Sequence, residues 1–388
     1  MIGYREKVRL LCAPIFIILS SLMFVGCWDY TGLHEQTVVA GMAVDLSEDG
    51  AAYILTLEIV DLNGASDGQF GAQLLTTTGE TFASAVFDAY ARLHSNVYLG
   101  VMDVVLISEQ VAEHGMGHFV DYFIRDRNAR SSLHIVVAGT DTAAELLTPT
   151  EEEGRQRQVV LSQVLAESLG QHRRGASTTA RAPQVVEVFD RLATGTATLA
   201  LPVVAFSEAA DIPFQLDGLA LFTGDRMTGR LAEADMPIYL LATTGLRDRV
   251  FPVQVMGPDG VLHQVVLAAR GSEAHVRFKE DAGRLRFWLD IEMTADVLEL
   301  QGVWGTIDQA KLRQIEAFAE AFLTAEVLAF AERFQDEGRD VLLLLEAIRH
   351  RDAVLWRTVS ADAETWLRDS EITPRVRVRI GNTGMMKG

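Results

Sequence analysis

Leu285, Phe287, Leu289, Ile291 and Met293 place a large apolar side chain at every second position, and the segment that follows, 308–336, carries Leu312, Ile315, Ala319, Leu323, Val327, Phe330 and Phe334 at spacings of three or four. The first period belongs to a strand with one buried face, the second to a helix with one buried stripe. Each needs an apolar partner, and the stripe is read as packing on the sheet, since a groove for a partner helix would have to be exposed. Such a pairing restricts this half of the chain to sheet and helix layers around a shared core.

The strands before it fit the same plan. Segments 261–268 and 275–279, the turn Glu280-Asp281-Ala282-Gly283 and the strand 284–294 read as a meander. Gly338 stops the long helix, further helices are expected over 341–348 and 362–368, and an alternating strand over 375–380 closes the chain. In the other half, 37–45 and 51–60 flank the turn residues Ser47-Glu48-Asp49-Gly50 and read as a hairpin. A polar, Gly-rich loop is expected over 61–71, helices over 80–94 and from Ser108 to about 124, and strands over 101–107 and 133–138. A short helix over 142–147, an amphipathic run over 159–169, an exposed loop over 175–182, a helix over 183–192 and a strand over 196–205 follow. The fold class is α+β to mixed α/β, in several small domains, each a mostly antiparallel or mixed sheet packed with helices. The expected division is an N-terminal α/β region over 27–206, which could divide again near 148, and a C-terminal α+β domain over 207–388. Their boundary is set at 207–215, where Pro213 and polar residues interrupt two apolar runs.

Ahead of these stands a leader. Arg5, Lys7 and Arg9 precede an apolar run over 10–25, then Gly26 and Cys27. This is the layout of an export signal cut between Gly26 and Cys27, leaving a lipid-modified cysteine as the first mature residue. The apolar run is shorter than the roughly 20 residues of a comfortable membrane span and contains Pro14, which makes a retained anchor helix the lesser alternative. Covalent diacylglycerol and an N-acyl chain on Cys27 would be the only attached group, with no cofactor. Each buried methylene contributes about 0.8 kcal/mol of membrane affinity, and more than one chain is needed to hold.

Only two cysteines occur, and Cys12 lies within the leader, so the mature protein has no disulfide and no thiolate metal site. Hydrophobic residues make up 49% of the chain, ample for real cores, while the formal charge is −19. That excess argues against nucleic acid and against adhesion to anionic lipid by charge alone. It leaves proteins, cations or neutral molecules as partners, or simple solubility as its meaning.

No catalytic constellation emerges. Gly64-Ala65-Ser66-Asp67-Gly68 has the spacing of a hydrolase nucleophile elbow but not the strand-to-helix setting the chemistry needs. His114 and His118 are a helical turn apart, yet no metalloprotease glutamate accompanies them, and they read as surface or helix-end residues rather than metal ligands. No metal site is expected.

Several segments, taken in order, resemble the Ger(x)C family, the lipoprotein C subunits of bacterial spore nutrient-germinant receptors. They are Gly26-Cys27-Trp28-Asp29 with Leu33-x-Glu35, the strand Val38-Val39-Ala40-Gly41-Met42-Ala43-Val44-Asp45, and Phe123-Ile124-Arg125-Asp126 with Arg130. Then come Gly218-Leu219-Ala220-Leu221-Phe222, Gly229-Arg230-Leu231, Trp356, Trp366 and Val376-Arg377-Val378 ahead of Gly381. The resemblance covers nearly the whole chain. It implies a non-enzymatic subunit anchored through Cys27 on the outer face of the spore inner membrane, assembled with a membrane A subunit and a transporter-like membrane B subunit, and needed for nutrient-triggered germination. Trp28 and Asp29 are either a solvated tether or a contact with those subunits. Arg125 and Arg130 belong either to an ion-pair network with Asp126 or to a partner contact. Outside the family, the alternatives are an extracytoplasmic solute-binding lipoprotein of a transporter, or a lipid-anchored hydrolase using Ser66.

Overall fold

The computed structural model describes residues 36–66, 69–93, 96–148, 161–171, 182–194, 198–207, 214–243, 245–246, 249–257, 259–302 and 308–382. The expected leader, Cys27, Trp28 and Asp29 lie outside the described residues, as does nearly all of the loop expected over 175–182.

The first hairpin forms as its alternation requires: β1 (Gln36–Leu46) pairs antiparallel with β2 (Tyr53–Ser66), Val44 opposite Leu55 and Leu46 opposite Tyr53. β2 does not stop at Val60. It continues to Ser66, and β3 (Gln69–Gly79) returns antiparallel beside it, so residues 61–66 and 69–71 are strand at the far end of a second ladder and not the expected loop. Weak strand formers are carried there by cross-strand pairing, which outweighs intrinsic preference.

α1 (Phe82–Leu93), β4 (Asn96–Tyr98) and β5 (Val104–Ile107) follow. The single helix expected after Ser108 is two, α2 (Glu109–His114) and α3 (Gly117–Arg125). Ser108 does cap the first, its Oγ accepting from the Val111 N–H at 3.3 Å. Gly115, at φ +125°, separates the two helices in a conformation no helix holds. β6 (His134–Ala138), α4 (Leu161–Gln171), α5 (Val185–Thr194), β7 (Thr198–Phe206), β8 (Phe214–Thr223) and β9 (Arg226–Leu231) complete this half.

The strands form a nine-stranded mixed sheet in the order β3-β2-β1-β5-β6-β7-β8-β9, with β4 beside β1. β1, β5, β6 and β7 are parallel, and antiparallel pairs flank them. Central strands are covered on both sides, so they read as unbroken apolar runs. Val105 and Ile107 enter the core beneath α1, α2, α3 and α5, while Val104 and Leu106 enter a smaller core beneath α4 and the 3-10 turn Ala143–Leu147. β7 and β8, on either side of 207–215, pair antiparallel in this sheet.

The second sheet is β10 (Arg249–Met256), β11 (Leu262–Asp281), β12 (Arg284–Leu300) and β13 (Glu371–Asn382), in that order, with the last pair parallel. β11 is one long strand where two were expected, and α6 (Met236–Ala242) and β10 were not anticipated. Leu285, Phe287, Leu289, Ile291 and Met293 are all buried on one face of β12, under α6 and α7 (Gln309–Asp336). The helix buries Ile315, Ala319, Leu323, Val327, Phe330 and Phe334, with Leu312 half-buried, and its stripe lies on the sheet as expected. Asp308 caps its start, accepting from the Lys311 N–H at 2.9 Å.

A neighbouring row on α7 meets the sheet edge. Glu316, Glu320 and Thr324, each one turn apart, accept the N–H groups of Ile380, Val378 and Val376 at 2.9, 3.0 and 3.1 Å. They satisfy an edge strand that would otherwise offer free donors to another chain. After Gly338 come α8 (Leu344–Arg351), α9 (Ala353–Val359), which was not anticipated, and α10 (Ala363–Arg368). Trp356 and Trp366 pack half-buried against the C-terminal core.

The β8–β9 hairpin joins the halves. Ala220 and Phe222 face the N-terminal core, and Leu219, Leu221 and Leu231 face the C-terminal one.

Candidate functional site

The apolar positions of α1 and α3 bring Phe82, Phe119 and Phe123 together with Tyr122 and, from β2, Tyr53. Phe82 is the hub, its ring centroid 6.2 Å from Tyr53, 5.1 Å from Tyr122 and 5.5 Å from Phe123, all edge-on. Above this floor opens a cleft of about 710 Å³, walled by Glu80, Thr81, His114, His118, Asp121 and Arg125.

Arg125, at the end of α3, donates from Nε to Asp121 Oδ2 at 2.6 Å. The Asp121 carboxyl is held below its ordinary range by that hydrogen bond first, and the guanidinium is raised by the same contact. Tyr122 stands against Tyr90 and Asp126; burial first, then those two groups, push its phenol well above the usual value. It is a neutral hydrogen-bonding group at any physiological pH and not a nucleophile.

Arg130 is elsewhere, its Nη1 2.9 Å from Asp103 Oδ1 with both side chains about half exposed. Asp126 Oδ1 accepts the Asn128 N–H at 2.7 Å. The anticipated network is therefore two separate surface pairs, of a kind that contributes little individually. His114 ends α2 and His118 lies in the first turn of α3, both exposed, as read from the sequence. Among the described residues no group of His, Cys, Asp or Glu could hold a metal ion. Ser66 ends β2 and leads to another strand, so the strand-to-helix elbow that a serine nucleophile needs is not formed there.

Two buried carboxylates escaped the sequence reading. Glu58 on β2, fully buried, accepts the Leu161 and Ser162 N–H groups at 2.8 and 2.9 Å, pinning the start of α4 to the sheet. Asp45 on β1 accepts the Ala143 and Ala144 N–H groups at 2.7 and 3.1 Å. Burial raises its pKa, against the lowering effect of those hydrogen bonds. Both close helix N-termini, where a carboxylate is at home. An acidic residue facing a helix start one hundred positions away leaves no local signal.

Among the described residues no helix is long and apolar enough to cross a membrane. The family profile described as "Spore germination protein N-terminal domain" matches residues 29–205, and "Spore germination B3/ GerAC like, C-terminal" matches 217–384. Among curated proteins of Bacillus subtilis (strain 168), the chain is 22% identical to putative spore germination protein YfkR over 82% of each chain. It is 24% identical to spore germination protein KC, over 37% of this chain and 38% of that one, and 25% identical to spore germination protein A3, over 35% and 36%. These last two alignments span under half of the relatives' length. The crystal structure of the GerBC protein shares the fold, with a TM-score of 0.55 and 16% identity, covering 88% of this chain and 97% of that one. With two profiles in order along one chain, on a fold shared with GerBC, the chain belongs to the Ger(x)C family of spore germination proteins.

Proposed function

We propose that this protein is the lipid-anchored C subunit of a nutrient germinant receptor, held through Cys27 on the outer face of the spore inner membrane and needed for nutrient-triggered germination. The observation that carries the reading is the succession of the two spore-germination profiles over residues 29–205 and 217–384. The leader and Gly26-Cys27 support the anchor. The subunit works without catalysis, by holding and orienting the membrane A and B subunits. Partner contact is assigned to Trp28 and Asp29 behind the anchor, and to Arg125 and Arg130, whose weak pairs with Asp121 and Asp103 exchange readily for a partner's carboxylates.

Two measurements test this. Intact-mass analysis of the protein extracted from spore membranes should find a chain beginning at a diacylated Cys27, and tagged protein should copurify with the two membrane subunits. Arg125→Ala with Arg130→Ala should weaken copurification while leaving the mass of the mature chain unchanged. A chain retaining residues 1–26 contradicts the anchor, and a clean preparation free of membrane subunits contradicts the assembly.

A further inference from the structure

We propose that the cleft over Phe82 is a binding site for a small organic monocation, a primary ammonium ion carrying an apolar body. Its volume of about 710 Å³ falls within the range of small-molecule sites, and the site stands whether or not the chain works within a receptor.

The anchor is Tyr53. This residue is 7% exposed and borders the cleft, and its hydroxyl has no hydrogen-bond partner among the described residues. The side-chain atoms sealed from solvent without a partner are, among those residues, Ser162 Oγ and Arg339 Nη2, so the Tyr53 hydroxyl is not shut in and opens to the cleft its ring borders. Burial first, then the field of the Asp225 carboxylate, raises its pKa, which leaves the oxygen a neutral acceptor. An ammonium ion is the donor such an oxygen meets best, because a charged partner makes the stronger hydrogen bond.

The wall fixes the sign of the charge. Glu80, Asp121 and Asp126 line the cleft against one guanidinium, Arg125, and Asp225 adds its field from beside Gly115. Arg125 is taken up by Asp121 at 2.6 Å, whereas Glu80 is exposed and has no ion-pair partner among the described residues. With His114 and His118 neutral the lining is net negative, so it attracts a cation and repels an anion. The floor fixes the rest. Phe82 and Tyr122, edge-on at 5.1 Å, form with Tyr53 an aromatic surface that suits both an organic cation and its hydrocarbon. Among the described residues no group of side chains could hold a metal ion, which leaves an organic cation as the occupant.

Isothermal titration of the full chain in non-ionic detergent, at about pH 8 where free imidazole is neutral, tests the site with 2-phenylethylammonium, benzylammonium and hexylammonium beside the alcohols of the same skeletons. At least one ammonium ion should bind saturably and its alcohol about tenfold more weakly, and Tyr53→Phe, which removes only the hydroxyl, should weaken the ion about tenfold. Ala83→Trp, which fills the cleft from α1 and leaves the hydroxyl and the carboxylates in place, should abolish binding, and it decides the matter if Tyr53→Phe fails to fold. Absence of saturable binding by all three ammonium ions, equal binding of ion and alcohol, or undiminished binding to either folded variant would overturn the proposal.

Discussion

Asp340 shows how much one side chain can weigh in this molecule. Its Oδ1 and Oδ2 accept the Leu344 and Leu345 N–H groups, each at 2.8 Å, and close the start of α8. Burial nevertheless pushes its pKa up to about 6 from 3.8. The folded state then binds this proton more tightly than the unfolded chain, so the associated stability is present below pH 3.8 and is lost as pH rises through about 6. Measured by urea unfolding, the stability of wild type relative to Asp340→Asn should fall between pH 4 and pH 6 and level off above pH 7. A difference that stays constant across that range would be inconsistent with a raised carboxyl. Glu58 acts at the same scale through hydrogen bonding. Glu58→Ala orphans the Leu161 and Ser162 N–H groups and should cost about 1–3 kcal/mol in unfolding free energy, with faster hydrogen exchange in α4. Unchanged exchange in α4 would show that the helix is held by something else. Glu58 was not legible in the sequence, because it acts on a backbone brought to it by the fold, and an acidic residue in an alternating strand reads as a solvent-facing one; Asp340 acts locally, on N–H groups four and five positions ahead.

At the scale of elements, α7 is where the sequence speaks most clearly and where substitution should discriminate most sharply. Leu323 is fully buried against the sheet while Phe322, one position away, is 39% exposed. Leu323→Ala should lower stability by about 2–5 kcal/mol, whereas Phe322→Ala should cost well under half as much. Equal losses measured by denaturant unfolding would mean that the stripe is not the packing face. The period of 3.6 in α7 and the period of two in β12 could be read directly because each element buries a single face. Where an element is buried all round or paired against preference, the pattern fades. Met236, Tyr239, Leu240, Leu241 and Ala242 of α6 are all buried, so no periodicity marks the helix. β10 does alternate, with Phe251, Val253 and Val255 buried, but Pro252 within it obscures the signal. The strand tolerates that proline because it lies at the edge of its sheet. Residues 61–66 and 69–71 were missed for the opposite reason, since their glycines and polar side chains spell a loop and only the ladder between β2 and β3 makes them strand.

For the whole molecule, the β8–β9 hairpin decides how the halves behave. Ala220 and Phe222 belong to one core, and Leu219, Leu221 and Leu231 to the other, so neither core survives removal of the hairpin intact. Unfolding should therefore be a single transition. Tryptophan fluorescence, which reports the C-terminal half because every tryptophan but Trp28 lies beyond residue 287, should coincide with far-ultraviolet circular dichroism, which reports both. Two separated transitions would show that the halves are independent. The family was legible at this scale through short segments in a fixed order, whereas the cleft over Phe82 arises from residues far apart in the chain and has no sequence signature. Whether the protein works as an anchored receptor subunit is read out by nutrient-triggered dipicolinate release from spores carrying Cys27→Ala, across a nutrient panel and beside a trigger that bypasses receptors. An anchored receptor subunit requires loss of response to particular nutrients with the bypass intact; a normal response to every nutrient would contradict that role.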